Sequence, residues 1–162
     1  MSLTRGQFVG LALWAGALGA EPALGQPSGV DRVERLLEFE HRLEAAYGAA
    51  LERGAIDAPL GRTLLAHERE HVRGVELALR TLGGRVSRAT VSPPEPASAL
   101  RGRRAFARFA LALETQTVAA YAQVLATLDA PGLLQPLGSI MTSGAQHQVA
   151  LRELLGEPPL GR

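Results

Sequence analysis

Four stretches of the chain carry apolar residues at helical spacing, and a turn signal closes each one. In the first, Val33, Leu36, Leu37, Leu43, Tyr47 and Leu51 recur on one face, which predicts a helix from about Ser28 to Arg53, before Gly54. Ser28-Gly-Val-Asp31 marks its start as a capping box with Asp in the place of Glu. The second opens at Asp57-Ala-Pro59, buries Leu64, Leu65, Val72, Val75, Ala78, Leu79 and Leu82, and stops at Gly83-Gly84. The third, from about Ala97 to Leu128, has a stripe running from Phe106 through Ala110, Leu113, Thr117, Val118, Tyr121, Val124 and Leu125 to Leu128. The fourth, from about Gly132 to Leu155, turns Leu137, Ile140, Leu151, Leu154 and Leu155 inward and tolerates Pro136 in its first turns. Residues 85–96, with Pro93-Pro94 and Pro96, have no apolar period. A connection of that length between the second and third helices fits a bundle of two hairpins, in which the chain returns to the far end before starting again. The expected fold is therefore an all-α four-helix bundle with a long crossover.

Polar residues interrupt these stripes at a few positions. Glu40 falls in the middle of the first stripe, whereas Glu38 points away and Glu44 sits at the edge. Glu68 is central in the second with His71 beside it, Glu114 is central in the third, and His147 and Gly144 face inward in the fourth. A buried carboxylate costs several kcal/mol unless it finds a cation or a proton. Three in one core layer also repel one another, and divalent metal relieves both penalties.

The two halves of the chain repeat. Glu40-His-Arg-Leu-Glu-Ala-Ala-Tyr47 aligns with Glu114-Thr-Gln-Thr-Val-Ala-Ala-Tyr121, and Glu68-Arg-Glu-His71 aligns with Gly144-Ala-Gln-His147. Each half supplies one acid-bearing helix and one histidine-bearing helix. Tyr47 and Tyr121 lie about 10 Å along the axis beyond their acids. Side chains lean toward the helix N-terminus, so their hydroxyls come within reach of Glu40 and Glu114. The bland alternative for both is an aromatic core residue with a satisfied hydroxyl.

The second helix also spells H-E-x-x-H from His67 to His71. Read as a zinc peptidase, it puts both histidines on the metal with Glu68 as general base. That reading lacks a third ligand, leaves Glu40, Glu114 and His147 unexplained, and finds no strand to align a peptide. Stripe geometry puts His67 on the border and Glu70 toward solvent.

The chain has 162 residues, one ordinary domain, and a formal net charge of +1. No polybasic tract is present, which argues against a nucleic-acid binder. Arg101, Arg103, Arg104 and Arg108 are read as a solvated face. Cysteine is absent, which excludes disulfides, thiolate ligands and a cysteine nucleophile, and leaves oxygen and nitrogen ligands for any metal. At the N-terminus, Arg5 precedes an apolar run from Phe8 to Leu18 and then small residues up to Gly25. This reads as an export signal over residues 1–25, with Ala23-Leu24-Gly25 as the first choice of cleavage site, Ala17-Leu18-Gly19 as the second, and the bundle domain over 26–162. Thr4-Arg5-Gly6-Gln7-Phe8 resembles a twin-arginine motif whose second arginine has become Gly6. An uncleaved anchor or tail is the alternative, and it would be the one contact with a membrane.

Together these residues resemble the ferritin-like superfamily, in particular exported bacterial ferritin-like domain proteins, over residues 30–156. The resemblance implies a metal pair held by Glu40, by Glu68 and His71, by Glu114 and by His147, with Tyr47 and Tyr121 behind them. The sixth ligand position holds Gly144 and offers no donor. It further implies one or two ions of iron or manganese and oxygen or peroxide chemistry in the cell envelope. Three carboxylates undercompensate two dications, so a full pair would need hydroxide or an outside anion, while a single ion is the simpler occupancy. A bundle that keeps the scaffold without metal, as a structural or interaction module, remains the main alternative, and pairing into a homodimer is left open.

Overall fold

The computed structural model describes residues 27–86 and 97–160; the expected export signal and most of the crossover lie outside them. Four long helices, α1 (Gly29–Glu52), α2 (Ala58–Thr81), α3 (Arg103–Thr127) and α4 (Pro131–Leu155), make up the bundle, and no strand occurs among the described residues. The capping box at the start of α1 is present in both directions: Asp31 N donates to Ser28 Oγ at 3.1 Å, and Ser28 N donates to Asp31 Oδ2 at 2.8 Å. Asp57 stands at the N-cap of α2 without bonding its backbone, and its carboxylate faces Arg103 at 3.5 Å instead. Gly83, at φ +78°, follows the end of α2.

Two expectations are corrected. The third helix starts at Arg103 and not at Ala97: Ala99–Arg101 form a short 3₁₀ turn, and extended Gly102 separates it from α3. Leu154 is exposed, because the inward row Leu137, Gly144, His147, Leu151 and Leu155 passes it by on the adjoining face of α4. Pro136 sits inside α4 at an exposed position. The carbonyl of Gly132 that it leaves unpaired is on an exposed residue, where water can satisfy it. Arg101, Arg103, Arg104 and Arg108 are all exposed, as a solvated face requires.

The core divides into two apolar clusters. One joins Leu43, Tyr47 and Ala50 of α1 with Leu64 of α2, Phe106 and Ala110 of α3, and Leu151 and Leu155 of α4. The other joins Val33 and Leu36 of α1 with Val75 and Leu79 of α2, Tyr121 and Val124 of α3, and Leu133 and Leu137 of α4. The C-terminal half of α1 thus meets the N-terminal half of α3, so these two helices run antiparallel, while α2 and α3 run the same way. Those directions are the ones a bundle of two hairpins has. Between the clusters lies a polar layer formed by Glu40, Glu68, His71, Glu114, Thr117 and His147, all buried.

Removing the cap with Ser28→Ala should cost about 0.5–2 kcal/mol in urea unfolding. Asp57→Ala, which deletes no cap bond, should cost less. Equal losses would show that α1 does not depend on its capping box.

Candidate metal centre

Each of the five donor residues is set into the layer by the stripe it interrupts. Glu40 on α1, Glu68 and His71 on α2, Glu114 on α3 and His147 on α4 converge into two trios. One is Glu40, Glu68 and His71, the other Glu68, Glu114 and His147, and in each trio one ligand atom per residue lies within 4.8 Å of the others. Glu68 belongs to both. Its Oε2 lies 3.4 Å from His71 Nδ1, and its Oε1 lies 2.9 Å from His147 Nδ1. His71 Nδ1 is also 3.4 Å from Glu40 Oε2, and His147 Nδ1 is 3.0 Å from Glu114 Oε1.

Hydrogen bonding leaves part of this cluster unserved. Glu114 Oε1 has His147 and Tyr47 as partners, and Glu40 Oε1 accepts from Tyr121. Glu40 Oε2 and both oxygens of Glu68 are buried and complete no hydrogen bond, although imidazole nitrogens stand 2.9 to 3.4 Å from them in ion-pair contact. Buried carboxylate oxygens without donors are rare and costly. These three point at imidazole nitrogens, which is how oxygen and nitrogen ligands stand around a cation. The donor set therefore fits metal.

The tyrosines cross over. Tyr47 Oη donates to Glu114 Oε1 at 2.9 Å, and Tyr121 Oη donates to Glu40 Oε1 at 2.6 Å. Each serves the acid of the opposite half and not the one seven residues before it. Antiparallel packing of α1 and α3 is the reason: Glu114 leans toward the N-terminus of α3, the end at which Tyr47 stands, while Glu40 leans away from Tyr47 toward Tyr121. Burial and the neighbouring carboxylates push both phenols well above their usual range. They therefore remain donors.

Without metal the cluster is held by protons. Burial pushes Glu40 up to about 7, with Glu68 adding to the rise and His71 and Tyr121 opposing it. Burial also pushes Glu114 up, against the pull of His147. For Glu68, burial is outweighed by His147, His71 and Glu40, and it falls to about 2. Burial would lower both histidines, yet Glu40 and Glu68 raise His71 to about 10, and Glu114 and Glu68 raise His147 to about 9. Imidazolium thus takes the place of a dication at neutral pH.

Gly144 occupies the position answering Glu68. A Cβ there would stand 3.1 Å from Val118 Cγ2 and 3.4 Å from Glu114 Oε2. Val118 therefore takes up part of the room a fourth carboxylate would need. What remains is a cavity of about 10 Å³ for the centre of a water molecule, lined among others by Glu40, Glu68, His71, Glu114, Met141 and Gly144. That is room for about one water or ion.

His67 had only a peripheral place in the sequence reading. Its Nδ1 lies 3.0 Å from His147 Nε2, so it touches the centre through a donor residue and joins neither trio. The H-E-x-x-H spelling consequently does not bring His67 and His71 onto one point. The expectation of a border position was right, but the contact with α4 has no signal in the pattern of α2.

Two outcomes follow for the metal-free protein. The folded pKa values of His71 and His147 exceed the usual 6.5, so their contribution is complete below pH 6.5 and is lost as pH rises through about 9 to 10. Glu40, raised from 4.5 to about 7, adds a loss in the same direction. The melting temperature of the apoprotein should fall steadily from about pH 6.5 to pH 10; a flat profile contradicts the histidinium pairing. Tyr121→Phe strips Glu40 of its one hydroxyl donor and should destabilise the apoprotein by about 1–3 kcal/mol in denaturant titrations.

A family model of the ferritin-like domain matches residues 28–157. No curated protein and no solved structure matches the chain. The match spans all four helices and both trios, and the chain belongs to the ferritin-like domain family.

Proposed function

We propose that this chain is a metal-binding protein that holds one or two ions of iron or manganese between Glu40, Glu68, His71, Glu114 and His147. The observation that carries the reading is the set of three partnerless carboxylate oxygens, on Glu40 and Glu68, buried beside two imidazole nitrogens. A mixed carboxylate and imidazole set suits iron and manganese, and no thiolate is available to favour softer metals. When bound, such ions supply redox chemistry toward oxygen or peroxide. The protein's own part is to keep that chemistry in a dry layer between two apolar clusters, with Glu68 shared between the positions and Tyr47 and Tyr121 fixing the acids that face them. An envelope location is supported by the apolar N-terminal run after Arg5.

A second reading, a metal-free bundle acting as a scaffold, has one observation in its favour. His71 and His147 are positively charged at neutral pH and offset most of the carboxylate charge without any ion.

Metal analysis separates the two. Protein purified without chelator or tag-borne metal should carry iron or manganese, and Glu68→Gln should lose it while remaining folded, since it removes the shared ligand but keeps the volume. Metal-free protein that takes up neither ion when supplied would establish the scaffold reading. Gly144→Glu together with Val118→Ala, which clears the space the new side chain needs, should tighten binding of the second ion. No gain there would show that α4 does not answer α2 at this position.

A further inference from the structure

The two trios share Glu68 and descend from one repeat, yet they are not held alike. His147 is fixed at both ring nitrogens. Nδ1 faces Glu68 Oε1 at 2.9 Å and Glu114 Oε1 at 3.0 Å, and Nε2 faces His67 Nδ1 at 3.0 Å, with Ser143 Oγ farther off at 3.5 Å. The His67 and His147 rings are within 10° of parallel, and their centroids are 5.3 Å apart. With the two nitrogens closer than the centroids by more than 2 Å, the rings lie end to end in nearly one plane. That is the arrangement of an in-line N–H···N hydrogen bond and not of face-to-face stacking. Among the described residues His71 has no such outer partner. Its Nδ1 stands at 3.4 Å from both of its carboxylates, and its ring borders the small cavity beside Gly144 that His147 does not line.

For an imidazole to offer the Nδ1 lone pair to a cation, its proton must sit on Nε2, and the hydrogen bond made there decides both tautomer and ring orientation. Resting on the metal-binding reading above, we propose that His67 is a positioning residue that holds His147 in the ligating tautomer. The Glu68, Glu114 and His147 trio is then the tight metal position, and the Glu40, Glu68 and His71 trio is the labile one. The border histidine of the H-E-x-x-H spelling thereby acquires a role through α4 and not through His71. The preorganised trio binds first because its ring has no orientation left to lose, whereas His71 must be drawn in by the ion itself.

Cobalt(II) titration of the full chain, followed by visible absorption and by equilibrium dialysis, tests this directly. The wild type should fill in two steps, tight and then weak. His67→Ala should weaken the tight step by about 10–100-fold and change its absorption. His67→Asn, which retains an acceptor near the position of Nδ1, should recover most of the loss, whereas a purely packing role predicts no recovery. His71→Ala should delete the weak step alone. The assignment is overturned if His67→Ala leaves the tight step unmoved, or if His71→Ala removes the tight step and spares the weak one. A wild type that binds no cobalt, iron or manganese overturns the metal-binding reading itself. Thermal melts of each apoprotein separate weakened binding from loss of fold.

Discussion

Glu40, Glu68 and Glu114 occupy one buried layer, and like charges so placed repel in a medium that screens them poorly. Most of the surrounding structure can be read as compensation. His71 and His147 enter the same layer from α2 and α4 and carry positive charge there. Tyr47 and Tyr121, each anchored in a different apolar cluster, send a hydroxyl into the layer from above and from below. The antiparallel course of α1 and α3 makes that delivery reciprocal, so each half of the chain satisfies an acid of the other. Removing the acids would leave both tyrosine hydroxyls and the Nδ1 atoms of both histidines with no partner. Removing the helix directions would leave the acids without hydroxyls.

The repeat that builds this layer is broken once. Gly144 stands where the symmetry of the chain calls for a second shared acid, and Val118 lies where a Cβ at that position would meet it at 3.1 Å. The break has two consequences of opposite kind. It allows α3 and α4 to approach closely, which a packing argument alone would favour. It also leaves a small cavity that Glu40, Glu68, His71 and Glu114 line and His147 does not. Two trios built on one sequence repeat are thus unequal: His67 braces one from outside, and His71 of the other borders the small cavity.

Much of this was visible in the sequence because helical periodicity reports which residues share a face. Glu40, Glu68, His71, Glu114 and His147 interrupt apolar stripes, and all five are buried together. Periodicity within one helix says nothing about where a neighbouring helix points, and the remaining features depend on that. The crossed partners of Tyr47 and Tyr121 follow from the sense of α3 relative to α1, and the His67 contact follows from how α4 leans on α2. The early start assigned to the third helix failed for a local reason: Ala99–Arg101 have helical composition, but Gly102 is extended and breaks the run. Leu154 misled because a leucine beside Leu155 at a helix end reads as core whichever way the last turn faces.

Protons and a metal ion would draw on the same lone pairs in this layer, and that overlap governs what the fold can say about function. A bundle that depended on an ion for charge balance would be unable to assemble without one. Here His71 and His147, raised to about 10 and 9, provide balance beforehand, so folding and loading are separable events. A dication held by these residues would have to displace the imidazolium protons, so its uptake would be favoured as pH rises, the direction in which the apoprotein loses its own pairing. Membership in the ferritin-like family establishes the scaffold; whether the layer is held by protons or by an ion is a matter for these five side chains and the residues that position them.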